Sequence, residues 1–143
     1  MKLFITLSKR NLAVITALTV IVLLISGSFY SAQVRKIDGS TNALRVSYIK
    51  GLGYDVDETA ISVKEITIPQ EFSDVYRNYN ALQNEAGFDL RDFRGKKATV
   101  YCYELSYDKE VNVHLLVSEN AIIGGDVAEI EFSGEMKPLK KIN

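Results

Sequence analysis

His114 is the single histidine of the 143-residue chain and Cys102 its single cysteine. Both fall among alternating apolar residues that predict strands, with Glu104 close by. Glu104 and His114 facing each other across a hairpin could move a proton. The plainer alternative is a cross-strand ion pair on a solvated face, and no third group is apparent to orient the imidazole. Cys102 could act as a nucleophile if His114 lay near. A mid-strand thiol lacks the helix N-terminus that would lower its pKa, so a small buried hydrophobe is favoured. One cysteine excludes a disulfide framework within the chain, and one histidine excludes zinc sites that need two. No metal or cofactor is expected.

Gly124-Gly125-Asp126 is the most unusual stretch. Paired glycines within a strand imply a bulge or a close backbone approach. The flanking residues match neither GxxxxGK nor GxGxxG, so no phosphate loop is indicated. Arg91, Arg94, Lys96 and Lys97 form a basic cluster interleaved with Asp89 and Asp92. A solvated loop explains this pattern better than contact with anionic lipid or a cell-wall polymer. The candidate binding residues are Gly124, Gly125, Asp126 and Arg94, and no catalytic residue is assigned. With 17 basic and 18 acidic side chains the formal net charge is −1, which argues against nucleic acid as a partner.

These residues need elements to hold them. Ser40 or Thr41 can cap a helix over about 41–51, with Leu44, Tyr48 and Leu52 as its apolar side and Gly51 or Gly53 as its stop. Ile61–Pro69 reads as a strand whose alternation slips at Lys64-Glu65, from a bulge or from burial on both faces. A second helix is expected over 70–86, with Pro69 in its first turn, a stripe of Phe72, Val75, Tyr76, Tyr79, Leu82 and Ala86, and Gly87 as its stop. An antiparallel meander follows at about 97–107, 111–118 and 121–132, with a last strand at 136–141. The fold class is therefore α+β, two helices packed on an antiparallel β-meander.

Turn chemistry fixes a register. A loop at Asp108-Lys109-Glu110 puts Tyr103 opposite Leu115, Cys102 opposite Leu116 and Glu104 opposite His114. A turn at Glu119-Asn120 puts Val117 opposite Ile122, Leu115 opposite Gly124 and Val113 opposite Asp126. The second helix should cover the face of Tyr101, Tyr103, Leu105 and Leu115. Asp126 would then point into that core, at a cost unless it has partners. A bulge at the glycines would turn Asp126 away but bring Glu129 and Glu131 inward after Val127. Three resolutions are open: a second irregularity after the bulge, an Asp126 held by backbone amides or by a basic side chain such as Arg94, or a strand that ends early and leaves Glu129 and Glu131 at an open edge. The favoured one is an Asp126 held by amides near the glycines.

The N-terminal part differs in composition. Residues 1–32 carry Lys2, Lys9 and Arg10 and no acid, whereas residues 33–143 carry 14 basic against 18 acidic groups. Asn11 to Val34 contains no charge. Within it, Leu12–Phe29 would span about 27 Å as a helix, close to the roughly 30 Å hydrocarbon core. Eleven of those 18 residues are Leu, Ile, Val or Phe. The organisation read from this is a cytoplasmic tail at 1–10, a transmembrane signal anchor at 11–30 in contact with membrane lipid, a tether at 31–40 and an extracytoplasmic domain at 41–143. The alternative is secretion after cleavage of the apolar segment before Phe29.

The segments YIKGLGYDVD at 48–57, ITIPQEFSDVYRNYNALQNEAGFDL at 66–90, RGKKATVYCYEL at 94–105 and LLVSENAIIGGDVAEIEF at 115–132 carry a family resemblance. The chain resembles an uncharacterised domain-of-unknown-function family of membrane-anchored proteins from Gram-positive, clostridial and bacillar, bacteria. The resemblance implies extracytoplasmic placement and transfers no catalytic or binding residue. The expected function is a membrane-anchored, non-catalytic module that binds a protein or cell-envelope component. The alternatives are a small cell-envelope enzyme using carboxylates, Asp126 or Glu104 with His114, and a structural subunit of a membrane complex.

Overall fold

The computed structural model describes residues 36–131 and 134–142. The tail, the anchor and residues 31–35 of the tether lie outside the described residues. Among the described residues, no helix is long and apolar enough to cross a membrane. Residues from Lys36 onward form one compact unit.

Strand β1 is Ile37–Asp38, within the span read as tether, followed by helix α1, Asn42–Gly51. Strand β2 is Ser62–Thr67 and helix α2 is Asp74–Glu85. A 3-10 turn at Leu90–Phe93 leads to β3, Lys97–Glu104. Strands β4, Val111–Ser118, β5, Ala121–Glu129, and β6, Met136–Pro138, complete the domain. The six strands form one antiparallel sheet in the order β1-β5-β4-β3-β2, with β6 also on β5. The α+β class is as expected.

Local chemistry sets the boundaries. Thr41 caps α1 by accepting from the Leu44 amide, and Gly53 follows its end with φ +101°. Ser73, not Pro69, marks the start of α2, accepting from the Tyr76 amide. The chain cannot turn helical earlier because Ile68 is still paired with the β3 side, through Ile68 N–H to Lys96 O and Gly95 N–H to Ile68 O. Glu119 and Asn120 both take positive φ, as a two-residue hairpin of the right twist requires.

The helices lie on opposite faces of the sheet. Val46 and Ile49 of α1 pack with Tyr103, Leu105, Val113, Leu115 and Val127. Tyr76 and Tyr79 of α2 pack with Ala98, Val100, Leu116 and Ile123, the residues of the alternate parity. The expectation that the second helix covers Tyr101, Tyr103 and Leu115 is therefore corrected: α1 takes that face. Its inward side is also rotated from the expected one. Leu44 is 40% exposed, while Arg45 is buried with Val46 and Ile49. The Arg45 guanidinium stacks 3.6 Å over the Tyr101 ring and donates to Tyr103 Oη and Gly39 O. Strand β2 runs unbroken from Ser62 to Thr67 beside β3 and is exposed along most of its length, with Val63 at 59%. It is an edge strand, neither bulged nor doubly buried.

Two registers depart from expectation. In β3–β4, Tyr103 pairs with Val113, Cys102 with His114 and Glu104 with Asn112. The slip is two residues, so each side chain keeps its face. In β4–β5, Val117 pairs with Ile122 as expected, but a bulge at Ile123 then sets Leu116 opposite Gly124, His114 opposite Asp126 and Val113 opposite Val127. One extra residue inverts the parity of all that follows. Val127 enters the α1 core, and Asp126 turns to the α2 face. The strand stops at Glu129, which is exposed, so no acid follows Val127 inward.

Candidate functional site

The two corrected registers align Cys102, His114 and Asp126 in one row across β3, β4 and β5. Directly opposed residues hold their Cβ atoms about 5 Å apart, so the row is a contiguous strip. Asp126 is 3% exposed. Its Oδ1 lies 2.8 Å from His114 Nδ1, and its Oδ2 accepts from Tyr79 Oη at 2.7 Å. A buried carboxylate is tolerated when both oxygens are engaged. Burial, and then the charge of Asp126, push the Tyr79 phenol well above its usual range, so its hydroxyl stays a donor. His114 Nδ1 is committed to Asp126, which leaves Nε2 as the polar atom His114 can offer.

Asp126 is thus held, by side chains from α2 and β4 and not by backbone amides or Arg94. Arg94 is exposed and lies 5.0 Å over the Phe72 ring. Glu104 is likewise not the partner of His114, for its Oε2 meets Lys109 Nζ at 2.8 Å. The two glycines act in packing. A Cβ on Gly124 would stand 2.7 Å from Gln83 Oε1, the oxygen that accepts from Gly125 N–H. A Cβ on Gly125 would stand 2.7 Å from His114 O and from Leu139 Cδ2. Close approach from α2 on one side and Leu139 on the other explains both.

Alpha helix α2 does not cover its face completely. Between it and the sheet lies a groove of about 540 Å³, within the usual range of roughly 300–1,000 Å³ for small-molecule sites. Its walls are mainly apolar, with Tyr76, Leu82, Val100 and Leu116 inside, and the exposed Asn78 also lines it. Val75, 78% exposed, and Met136 form part of its rim. His114 and Asp126 line it as well. Among the described residues, no group of three acids, histidines or cysteines converges as a metal site.

Chemically the row holds a nucleophile, a base and an orienting acid in order, but the thiol is poorly served. Burial and the charges of Asp126 and Glu104 push the Cys102 thiol up, away from thiolate. Acyl transfer also needs free N–H donors for an oxyanion, and mid-strand amides of β3 and β4 belong to the ladder. What remains is an apolar groove with an oriented imidazole. Tyr79, the second partner of Asp126, appears in the sequence only as a member of an aromatic stripe.

Among the described residues the domain is a single antiparallel sheet with one helix on each face and a partly covered groove under the second. Residues 48–127, more than half of the chain, match the family model described as a domain of unknown function, DUF4830. The chain belongs to this family. No curated protein and no solved structure matches it.

Proposed function

We propose that the protein is a non-catalytic binding module that takes an apolar component of the cell envelope into the groove beneath α2. In this reading residues 11–30 anchor it in the membrane by a single pass and the domain stands on the extracytoplasmic side. One observation carries the proposal: an apolar groove of about 540 Å³ with a buried Tyr79–Asp126 pair fixing the only histidine at its floor. Structural need alone does not call for a carboxylate there, since an apolar residue would pack more cheaply. The uncharged run Asn11–Val34 and the basic residues before it support the anchor. The test is photo-crosslinking in native membranes from an unnatural residue at position 75, with mass-spectrometric identification of what is attached. A lipid or envelope species attached at 75, and absent from a control at exposed Asp92, is expected. Equal labelling at the two positions would refute a groove ligand. Protease added to intact protoplasts should remove the domain, and full protection would refute the orientation.

A further inference from the structure

We infer that the open edge of β2 docks an extended segment of a different protein. The segment adds as an antiparallel strand, with an acid opposite Lys64, a base opposite Glu65 and apolar residues opposite Val63 and Ile66. This surface stands on β2 and holds whatever fills the groove.

The edge is open and continuous. Among the described residues β2 pairs with β3 alone, in an unbroken register from Ser62 to Thr67. The bond from Ile68 N–H to Lys96 O sets the phase of that ladder. Backbone groups alternate in direction along an antiparallel pair, so Val63, Glu65 and Thr67 turn their N–H and C=O groups to the open side. Edges of this kind are normally blunted by a bulge, a proline, a very short strand or a covering element. Strand β2 has six residues and no proline, and its side chains are exposed, Val63 at 59%. A polypeptide carries donors and acceptors at the matching two-residue repeat. A hydrocarbon chain does not.

The middle of the edge is charged in a fixed order. Lys64 shares the α2 face with Ile66, whereas Glu65 shares the other face with Val63. Among the described residues neither charge belongs to an ion pair. Lys97, the diagonal neighbour of Glu65 on β3, lines the same hollow from the inner side. The outer side of Glu65 and of Lys64 has no counter-charge. Opposite charges directly across a ladder attract and like charges destabilise it, so the preferred strand carries a base followed by an acid, flanked by apolar residues.

A second copy of the chain does not meet this requirement. Two copies bring the same edge together, antiparallel, by rotation about the normal to the sheet. Their α2 faces then lie on one side, and only residues of like parity can stand opposite each other. Lys64 can therefore never face the Glu65 of another copy. Registers centred on Lys64 or Glu65 oppose like charges. Registers centred on Val63 or Ile66 pair only 62–64 or 65–67 of the strand. The same two charges thus work against self-association and favour a foreign strand of the complementary order.

The test uses the full chain in lipid nanodiscs, with a photoreactive residue in place of the exposed Thr67. Two end-blocked peptides are added, Thr-Val-Lys-Glu-Val-Thr and Thr-Val-Glu-Lys-Val-Thr, and attachments are mapped by mass spectrometry. The first peptide should be captured roughly tenfold more than the second, through its first residue, because two charge pairs change from matched to opposed. Exchanging the charges, Lys64→Glu with Glu65→Lys, should invert that preference without touching the core, since both side chains are exposed. Val63→Pro removes an outward donor at an edge position that tolerates proline, and should abolish capture. Equal capture of the two peptides, or a preference that the charge exchange does not invert, would overturn the inference. Preference for the second peptide would show a parallel strand and overturn the orientation. Attachment to a second copy or to residues 1–35 in place of either peptide would overturn the foreign partner.

Discussion

Removing the Asp126 carboxylate tests the centre of the site most directly. Its two oxygens meet Tyr79 Oη and His114 Nδ1 in a nearly water-free place. Hydrogen bonds to a charged group contribute about 1.5–3 kcal/mol each. Asp126→Ala forfeits both and strands a phenol and a ring nitrogen, so a loss of about 3–5 kcal/mol is expected. Asp126→Asn keeps the shape. Its Oδ1 can still accept from Tyr79, and its amide can donate to Nδ1 if the imidazole hydrogen moves to Nε2. Two neutral bonds then replace two charged ones, and the loss should be about 1–3 kcal/mol. Tyr79→Phe should cost about 1–2 kcal/mol alone but almost nothing in the Asp126→Ala background, because the partner has gone. Urea unfolding of a fragment from Lys36 onward, followed by circular dichroism and extrapolated linearly, measures all four corners of the cycle. A cost below about 0.5 kcal/mol for Asp126→Ala, with no coupling to Tyr79→Phe, would refute the network.

Three further outcomes follow from other contacts. Gly125→Ala should destabilise more than Gly124→Ala in the same unfolding assay, since its Cβ meets the fixed His114 backbone while that of Gly124 meets a movable Gln83 side chain. Arg45→Lys should lower stability by about 1–3 kcal/mol in thermal unfolding, because lysine reproduces neither the stacking on Tyr101 nor the fixed donor geometry toward Tyr103 Oη. The Arg91 side-chain bond holds the Asp89 carboxyl well below the usual range, so its folded pKa is depressed relative to the unfolded chain. Its contribution is present above the ordinary carboxylate pKa and lost as pH falls toward the folded value; Asp89→Asn should flatten the decline in stability below about pH 4.

Local signals were legible where the chemistry is local. Thr41, Gly53, Gly87 and the Glu119-Asn120 turn act as read, because capping and left-handed backbone depend on one or two residues. What escaped depends on counting along a ladder. The Asp108–Glu110 loop is longer than its three polar residues, since Leu105 N–H already pairs with Val111 O. That moved Glu104 away from His114 and brought Cys102 to it. The glycines announced an irregularity, but it fell one residue earlier, at Ile123, a residue with no such mark. The face taken by each helix was illegible for another reason: both sheet faces carry apolar residues, so periodicity cannot say which helix lies on which. Helix α2 buries Asn80 and Gln83, whose amides bond to Leu90 N–H and Gly125 N–H. A hydropathy pattern sees only polarity there, and misses the backbone donors that make it affordable.

Strand β1 has mechanical meaning. It is two residues long, pairs with Ala121 and Ile122, and is followed at Gly39 by a bond from its N–H to Asn120 O and one from Arg45 to its carbonyl. A load entering through Lys36 would meet these few bonds before any other part of the sheet, and short ladders open at little cost. Peeling them would lengthen the chain between Lys36 and α1 by a few residues. Strands β3, β4 and the Asp126 end of β5, secured instead by β6 and α2, would carry no strain until α1 itself was pulled. Under such a load β1 would yield first, while the floor of the groove kept its shape.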